Sequence, residues 1–228
     1  LSTVTCWIPA ELRMSSTESP SYSSSDDEAE AGGERAAAGA ATVALDPSIA
    51  ASLVQWTASR GAFAPPEAAL LMLRSDCERG NVRRLACVEA LTGAGRFAQL
   101  VATSDEYGEN ALMWACARGR IAAVRALLRS GAASLVGAVS ERGFAPIHMA
   151  AEGGHTSVIL ALLRAGASAH ALTRARATAL HLAASGAHGD AMEALLFSGA
   201  DALAQNRAGK TARQLLRTSR RGGSKAHQ

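Results

Sequence analysis

The chain has 228 residues, of which 48% are hydrophobic but only 4% aromatic, so an interior of Ala and Leu is predicted and large aromatic-lined pockets are not expected. Its net charge of +3 is uneven, because residues 1–64 carry three Arg and eight acids whereas residues 65–228 carry twenty basic and twelve acidic residues. No apolar run approaches the roughly 20 residues of a membrane-spanning helix, which excludes a membrane span.

The first 44 residues are predicted to be a disordered acidic tail. From Ser15 to Ala44 the sequence is rich in Ser, Glu, Asp, Gly and Ala, a composition that cannot bury enough apolar surface to offset the entropy of ordering. Ser23–Ser25 run into three acids and resemble sites of acid-directed kinases, with a merely solvating tail as the alternative. Met14 is a candidate start, and the leading Leu1 indicates a fragment or an extended gene prediction.

Cysteine spacing and the N-terminus indicate the compartment. The four cysteines show neither disulfide-framework nor zinc-ligand spacing, and residues 1–13 lack the basic start and apolar middle of a secretory signal. We therefore expect a cytoplasmic or nuclear protein with reduced thiols, no bound metal and no cofactor.

Residues 45–64 predict one short amphipathic helix that caps the domain. Asp46-Pro47 supplies an N-cap followed by a proline in the first turn, and Ile49, Leu53 and Trp56 recur at helical spacing before Gly61 ends the run. The helical stretches that follow Pro66 are interpreted as a degenerate first unit.

A period of about 33 residues organises the rest of the chain. His148 and His181 lie 33 residues apart (181 minus 148), as do Gly166 and Gly199. A fixed period of this length is the signature of stacked units, none of which covers its own apolar face.

The units resemble the ankyrin-repeat family. Residues 143–151 read Gly-Phe-Ala-Pro-Ile-His-Met-Ala-Ala and are followed by Gly154-His155, and residues 178–184 read Thr-Ala-Leu-His-Leu-Ala-Ala. The resemblance implies an all-α solenoid of helix–turn–helix units with β-hairpin-like turns, a structural role for His148 and His181, and a rearranged or mobile turn where Arg176 replaces glycine. The implied units are residues 65–104 (degenerate), 105–139, 140–172 and 173–205, then a half repeat at 206–218 and a basic tail at 219–228.

In ankyrin-like stacks the turn tips and inner helices form a concave face that binds a partner. Tyr107 and Phe144 are the predicted anchors, because an aromatic side chain at an exposed turn has no core to fill. The charges change from acidic to basic along the array, so a complementary partner would bind in one orientation; the alternative is that they only keep the face soluble. In phase, this face comprises Glu106, Tyr107, Glu109, Arg118, Glu141, Arg142, Phe144, Glu152, Arg174, Ser185, Arg207 and Lys210.

The sequence therefore predicts a monomeric scaffold or adaptor that binds another protein and has no catalytic activity, since no nucleophile stands beside a base. The alternative is a regulatory segment of a larger enzyme or receptor. A more distant alternative is nucleotide binding, because Ala204–Thr211 fits a relaxed phosphate-loop pattern, although such a loop needs a parallel sheet. The Arg-rich end lacks the interleaved aromatics of nucleic-acid binding, so a nucleic-acid partner is not expected.

Overall fold

A computed structural model describes residues 45–58 and 65–223, with the backbone alone at residues 220–223. The predicted acidic tail, the candidate start at Met14, the serines Ser23–Ser25 and the last five residues lie outside this range. The described residues form no strand and contain eleven α-helices. These are α1 Pro47–Ala58, α2 Glu67–Arg79, α3 Val82–Thr92, α4 Ala94–Ala102, α5 Ala111–Ala117, α6 Ile121–Arg129, α7 Pro146–Glu152, α8 Thr156–Arg164, α9 Ala179–Ser185, α10 Gly189–Phe197 and α11 Ala212–Gly223.

The helices stack in two rows. Helices α2, α5, α7, α9 and α11 pack on one another in that order and form the inner row. Helices α3, α6, α8 and α10 form the outer row, and each also packs on the inner helix that precedes it in sequence. At the N-terminal end α1 covers α2 and α3, as a capping helix should. The predicted all-α solenoid is therefore confirmed.

Residue size explains how closely the inner helices approach. Ala115, Ala150 and Ala183 occupy the same position in three successive inner helices, and each is fully buried. The larger Leu127 and Leu162 fill the space beneath the outer helices. Small residues at helix contacts and branched residues between layers give close packing with few aromatic rings, as the composition predicted.

Two elements were not predicted. Helix α4 buries Phe97, Leu100 and Val101 and packs on α3 and α5. A short 3-10 helix at Ala132–Leu135 accommodates the extra residues between the first two well-formed units. The last helix, α11, runs through Gly223 and so extends past residue 218, where the repeats are predicted to end.

The turn at Arg176 is not rearranged, so that part of the prediction is wrong, whereas the mobility of the turn stays a prediction. Arg176 adopts φ 55°, in the left-handed region that glycine occupies in the other turns. Thr173 N–H donates to Ala177 O at 2.9 Å and Arg176 N–H donates to Thr173 O at 2.8 Å. The same two hydrogen bonds close the other turns, and their geometry holds Arg176 in a conformation that it disfavours.

Candidate functional site

Four turns of one design project beside the starts of the inner helices. Each opens with a polar residue whose side-chain oxygen accepts a hydrogen bond from the N–H four residues later, at 2.9 to 3.2 Å. Two of the three pairs of neighbouring turns are joined by a backbone hydrogen bond, because Glu141 N–H donates to Tyr107 O and Arg207 N–H donates to Ala175 O, both at 2.9 Å. In the middle pair the backbones are close, since a Cβ added at Gly143 would lie 2.8 Å from Arg174 N. The turns therefore form a continuous row. The opening residues are Asp105, Ser140, Thr173 and Asn206.

Two buried histidines fix the inner helices to the row. His148 Nδ1 accepts from Ala145 N–H and its Nε2 donates to Ala171 O, both at 3.0 Å. His181 Nδ1 accepts from Thr178 N–H at 3.2 Å and its Nε2 bonds Lys210 O at 3.0 Å. Burial lowers the pKa of His148, which keeps its ring neutral. Both ring nitrogens of each histidine are engaged, which agrees with the predicted structural role.

The N-terminal end of the row carries a charged network around a covered tryptophan. Arg74 donates to Glu78 Oε1 and to Asp105 Oδ2, both at 3.1 Å, and its guanidinium carbon lies 5.5 Å from the centre of the Trp114 ring. Trp114 is buried beneath this network. Burial, followed by the nearby Asp105 carboxylate, raises the pKa of Glu109.

We call the four turns and the exposed sides of α5, α7 and α9 the inner face. Most of the residues predicted for the binding surface are exposed there, but Glu109 and Phe144 are half-buried. The reason given for Phe144 as an anchor is wrong, because its ring packs edge-on against His148, with centroids 6.0 Å apart and planes at 74°. Tyr107 is exposed, as predicted. The exposed residues are Glu106, Tyr107, Arg118, Glu141, Arg142, Glu152, Arg174, Ser185, Arg207 and Lys210.

The sequence prediction missed two apolar residues that adjoin the inner face. Val139 and Leu172 stand directly before the turn-opening residues Ser140 and Thr173 and are 61% and 52% exposed. Their separation equals the repeat period, so an apolar residue recurring immediately before the turn was the available signal.

Residues Ala204–Thr211 form a repeat turn and not a phosphate loop. Asn206 Oδ1 accepts from the N–H groups of Ala208 and Lys210, both at 3.0 Å, and Asn206 O accepts from Gly209 N–H at 2.9 Å. A phosphate loop needs free N–H groups directed at the anion. Here these donors are already used within the turn, which argues against nucleotide binding.

The described residues, 45–58 and 65–223, contain neither a cluster of metal-ligating side chains nor a helix that could span a membrane. No three His, Cys, Asp or Glu side chains in that part of the chain are grouped as a metal site requires. Among the same residues no helix has the length and hydrophobicity to cross a bilayer.

Comparison with known families identifies the repeats. The family model described as "Ankyrin repeats (3 copies)" matches residues 132–206, and the one described as "Ankyrin repeat" matches residues 107–135. The matched region runs from the turn before α5 to the turn before α11. None of the curated proteins compared with the chain matches it.

Proposed function

Residues 107–206 are ankyrin repeats, a module for protein interaction, and from this premise we propose that the chain is a scaffold or adaptor that binds a partner protein through its inner face. Binding is non-catalytic in this proposal. The fold alone does not identify the partner, so the argument depends on the residues of the face.

Exposed apolar side chains along the turns carry the proposal. Tyr107 is 53% exposed, Val139 61% and Leu172 52%, and each lies in or directly beside a turn. These side chains remain in water in the free protein. In an interface, a buried aromatic side chain such as Tyr can supply much of the binding energy, and burial of an aliphatic side chain adds the hydrophobic contribution of its area. We propose Tyr107 and Leu172 as the main anchors.

The charges around these anchors give the partner an orientation. The end of the face nearest α5 presents Glu106 and Glu141, whereas the other end presents Arg174, Arg207 and Lys210. Arg142 and Arg118 also lie at the acidic end, so the two ends differ in their balance of charge and are not purely acidic or purely basic. A partner with basic residues at one end of its contact surface and acidic residues at the other would associate fastest in one direction.

The test is quantitative affinity capture from cell extract with the full chain as bait. Tyr107→Ala/Leu172→Ser is compared with the wild type and with Val54→Ser, a control at a side chain that is 51% exposed on α1. We expect the double variant to reduce capture of the specific partner at least tenfold and the control to leave it unchanged, because only the former removes interface anchors.

Circular dichroism must show equal helicity for the three proteins, which is expected because all three positions are exposed. If the wild type and the double variant capture the partner equally, the inner face is not the binding surface. The partner identified by capture is then purified, and its affinity is measured at low and high salt to test the charge bias.

A further inference from the structure

Two neighbouring turns of the inner face, residues 173–177 and 206–210, carry basic side chains and no acidic one. We call them the basic turns. They are in direct contact, because Arg207 N–H donates to Ala175 O at 2.9 Å. Each turn contributes two basic residues, and all four are exposed. These residues are Arg174, Arg176, Arg207 and Lys210.

The positive charge of the basic turns is not neutralised by other described residues. None of the ion pairs between described residues involves a side chain of these turns. The sequence has no Asp or Glu from 173 to 189 or from 202 to 228, so neither α9 nor α11 supplies a carboxylate. Like charges on adjacent turns repel one another, and an anionic group bound between them would remove that repulsion.

Arg176 is the member of this cluster whose backbone is strained. It has a φ of 55°, whereas glycine holds the equivalent position in the preceding turn, at Gly143 with φ 77°. Glycine would adopt this conformation without strain, but it would bring no charge. Strain that a simple substitution would relieve is consistent with a use for the side chain, and the exposed guanidinium of Arg176 is what glycine would lack.

The chain itself contains a segment of complementary charge. Residues 18–34 include six acidic residues and no basic one, and this acidic segment lies outside the described residues. Fifteen residues lead from Glu30 to Leu45 (45 minus 30), where the described structure begins, and an extended chain of that length can span about 50 Å. Packed helices lie about 8–10 Å apart, so the four steps along the inner row from α2 to α11 measure about 32–40 Å. The acidic segment can therefore reach the basic turns.

We propose that the acidic segment, residues 18–34, binds the basic turns of its own chain. The tether favours this occupant over an acidic protein in solution, because a tethered segment has an effective concentration on the order of millimolar. The basic turns carry no aromatic side chain on which bases would stack, which disfavours a nucleic acid. These turns belong to the inner face, so the bound segment would compete with a partner there. That consequence rests on the proposed function, whereas binding of the segment does not.

Carbodiimide cross-linking of the full chain tests the proposal without a partner. The reagent joins a lysine amine to a carboxylate that contacts it, and Lys210 is one of the two lysines of the sequence. We expect mass spectrometry of the tryptic digest to find residues 14–35 joined to residues 208–213, in a yield that does not depend on protein concentration. Absence of this product overturns the proposal, as does a product that joins two chains and increases with concentration.

The variant Arg176→Gly/Arg207→Ser removes two of the four charges from the basic turns. Both side chains are exposed, and glycine at position 176 relieves backbone strain, so the variant is expected to remain folded, which circular dichroism checks. We expect its cross-linking yield to fall at least fivefold. Arg125→Ser/Arg129→Ser is the matched control, because it removes two exposed arginines from α6, and its yield should equal that of the wild type. An undiminished yield in Arg176→Gly/Arg207→Ser overturns the proposal.

A second measurement determines whether the acidic segment occupies the basic turns in the free chain. A dye-labelled peptide of residues 18–34 is titrated, by fluorescence anisotropy, with the wild type and with the full chain carrying Asp26→Asn/Asp27→Asn/Glu28→Gln/Glu30→Gln. We expect the amide variant to bind the peptide at least tenfold more tightly, because its own segment no longer competes. Equal affinity overturns the proposal. Neither measurement involves a partner, so its failure is distinguishable from failure of the proposed function, which affinity capture tests.

Discussion

At the scale of single residues, two backbone positions carry strain. Arg176 and Ala187 have φ values of 55° and 59°, and both occupy places where neighbouring units use glycine, such as Gly143 and Gly154. The left-handed conformation costs a residue with a Cβ about 1–2 kcal/mol, which the hydrogen bonds of the turn must offset. The sequence shows that Arg176 replaces the turn glycine. It could not show whether the turn would change its conformation or whether Arg176 would adopt the left-handed one.

We predict that Arg176→Gly and Ala187→Gly each raise the free energy of unfolding by about 0.5–1 kcal/mol, since relief of strain exceeds the added entropy of the unfolded chain. Urea denaturation monitored by circular dichroism measures the change. Gly143→Ala is the matched control and should destabilise, because Gly143 has φ 77° and its added Cβ would lie 2.8 Å from Arg174 N. A loss of stability in Arg176→Gly would contradict the strain argument.

At the scale of elements, apolar periodicity predicted the paired helices of each unit. It did not predict contacts between residues that are distant in sequence. Helix α4 was not predicted although Phe97, Leu100 and Val101 have helical spacing, because its residues lie between units and do not recur in the repeat phase. Trp114 was not predicted as part of the site, since no local pattern reveals that Arg74 of another helix lies over its ring. The turns were predictable because their residues recur in phase.

Each histidine at the start of an outer helix ties its unit to the one before. His155 Nε2 forms a hydrogen bond with Ala117 O at 3.2 Å, and His188 Nε2 forms one with Glu152 O at 3.1 Å. Each ring therefore contacts the last residue of the inner helix in the unit before its own. Arg120 does the same from the equivalent position, because its Nε donates to Glu78 O at 3.0 Å. These contacts link successive units along the stack.

We predict that Gly153→Ala lowers the free energy of unfolding by about 1–3 kcal/mol through overpacking of this contact. The added Cβ would lie 2.5 Å from His155 Nε2, while φ of −81° suits any residue, so backbone strain does not contribute. His155→Ala should remove most of that cost in the double variant, which a thermodynamic cycle measures. Gly189→Ala, whose Cβ would meet nothing within 4 Å, should be tolerated. Additive effects of Gly153→Ala and His155→Ala would refute the steric explanation.

At the scale of the whole molecule, we expect the stack to be least stable at its N-terminal end, because of a buried carboxylate there. Asp76 of α2 is buried at the position that Ala115 holds in α5, four residues before the glycine that ends each helix. Its Oδ1 lies 3.4 Å from Arg84 Nη1, and its Oδ2 has no hydrogen-bond partner. Burial raises the pKa of Asp76, against the opposing effect of Arg84. A buried carboxylate that is incompletely paired lowers the stability of the unit that contains it.

Because units of a solenoid contact only their neighbours, the N-terminal units should open before the centre. The order of opening can be followed at three buried thiols, Cys77 in α2, Cys87 in α3 and Cys116 in α5. Burial raises the pKa of Cys77 and Cys116, so their reactive thiolate forms are suppressed while the units that contain them are folded. In a Cys6→Ser background, we predict that pulsed alkylation, read by mass spectrometry, labels Cys77 and Cys87 at lower urea than Cys116. Asp76→Ala should reduce the difference between these urea concentrations, because it removes the buried carboxylate. The side chain of Arg84 is 27% exposed and can turn to water when its partner is removed. Labelling of all three thiols at one urea concentration would instead show that the stack opens as a single cooperative unit.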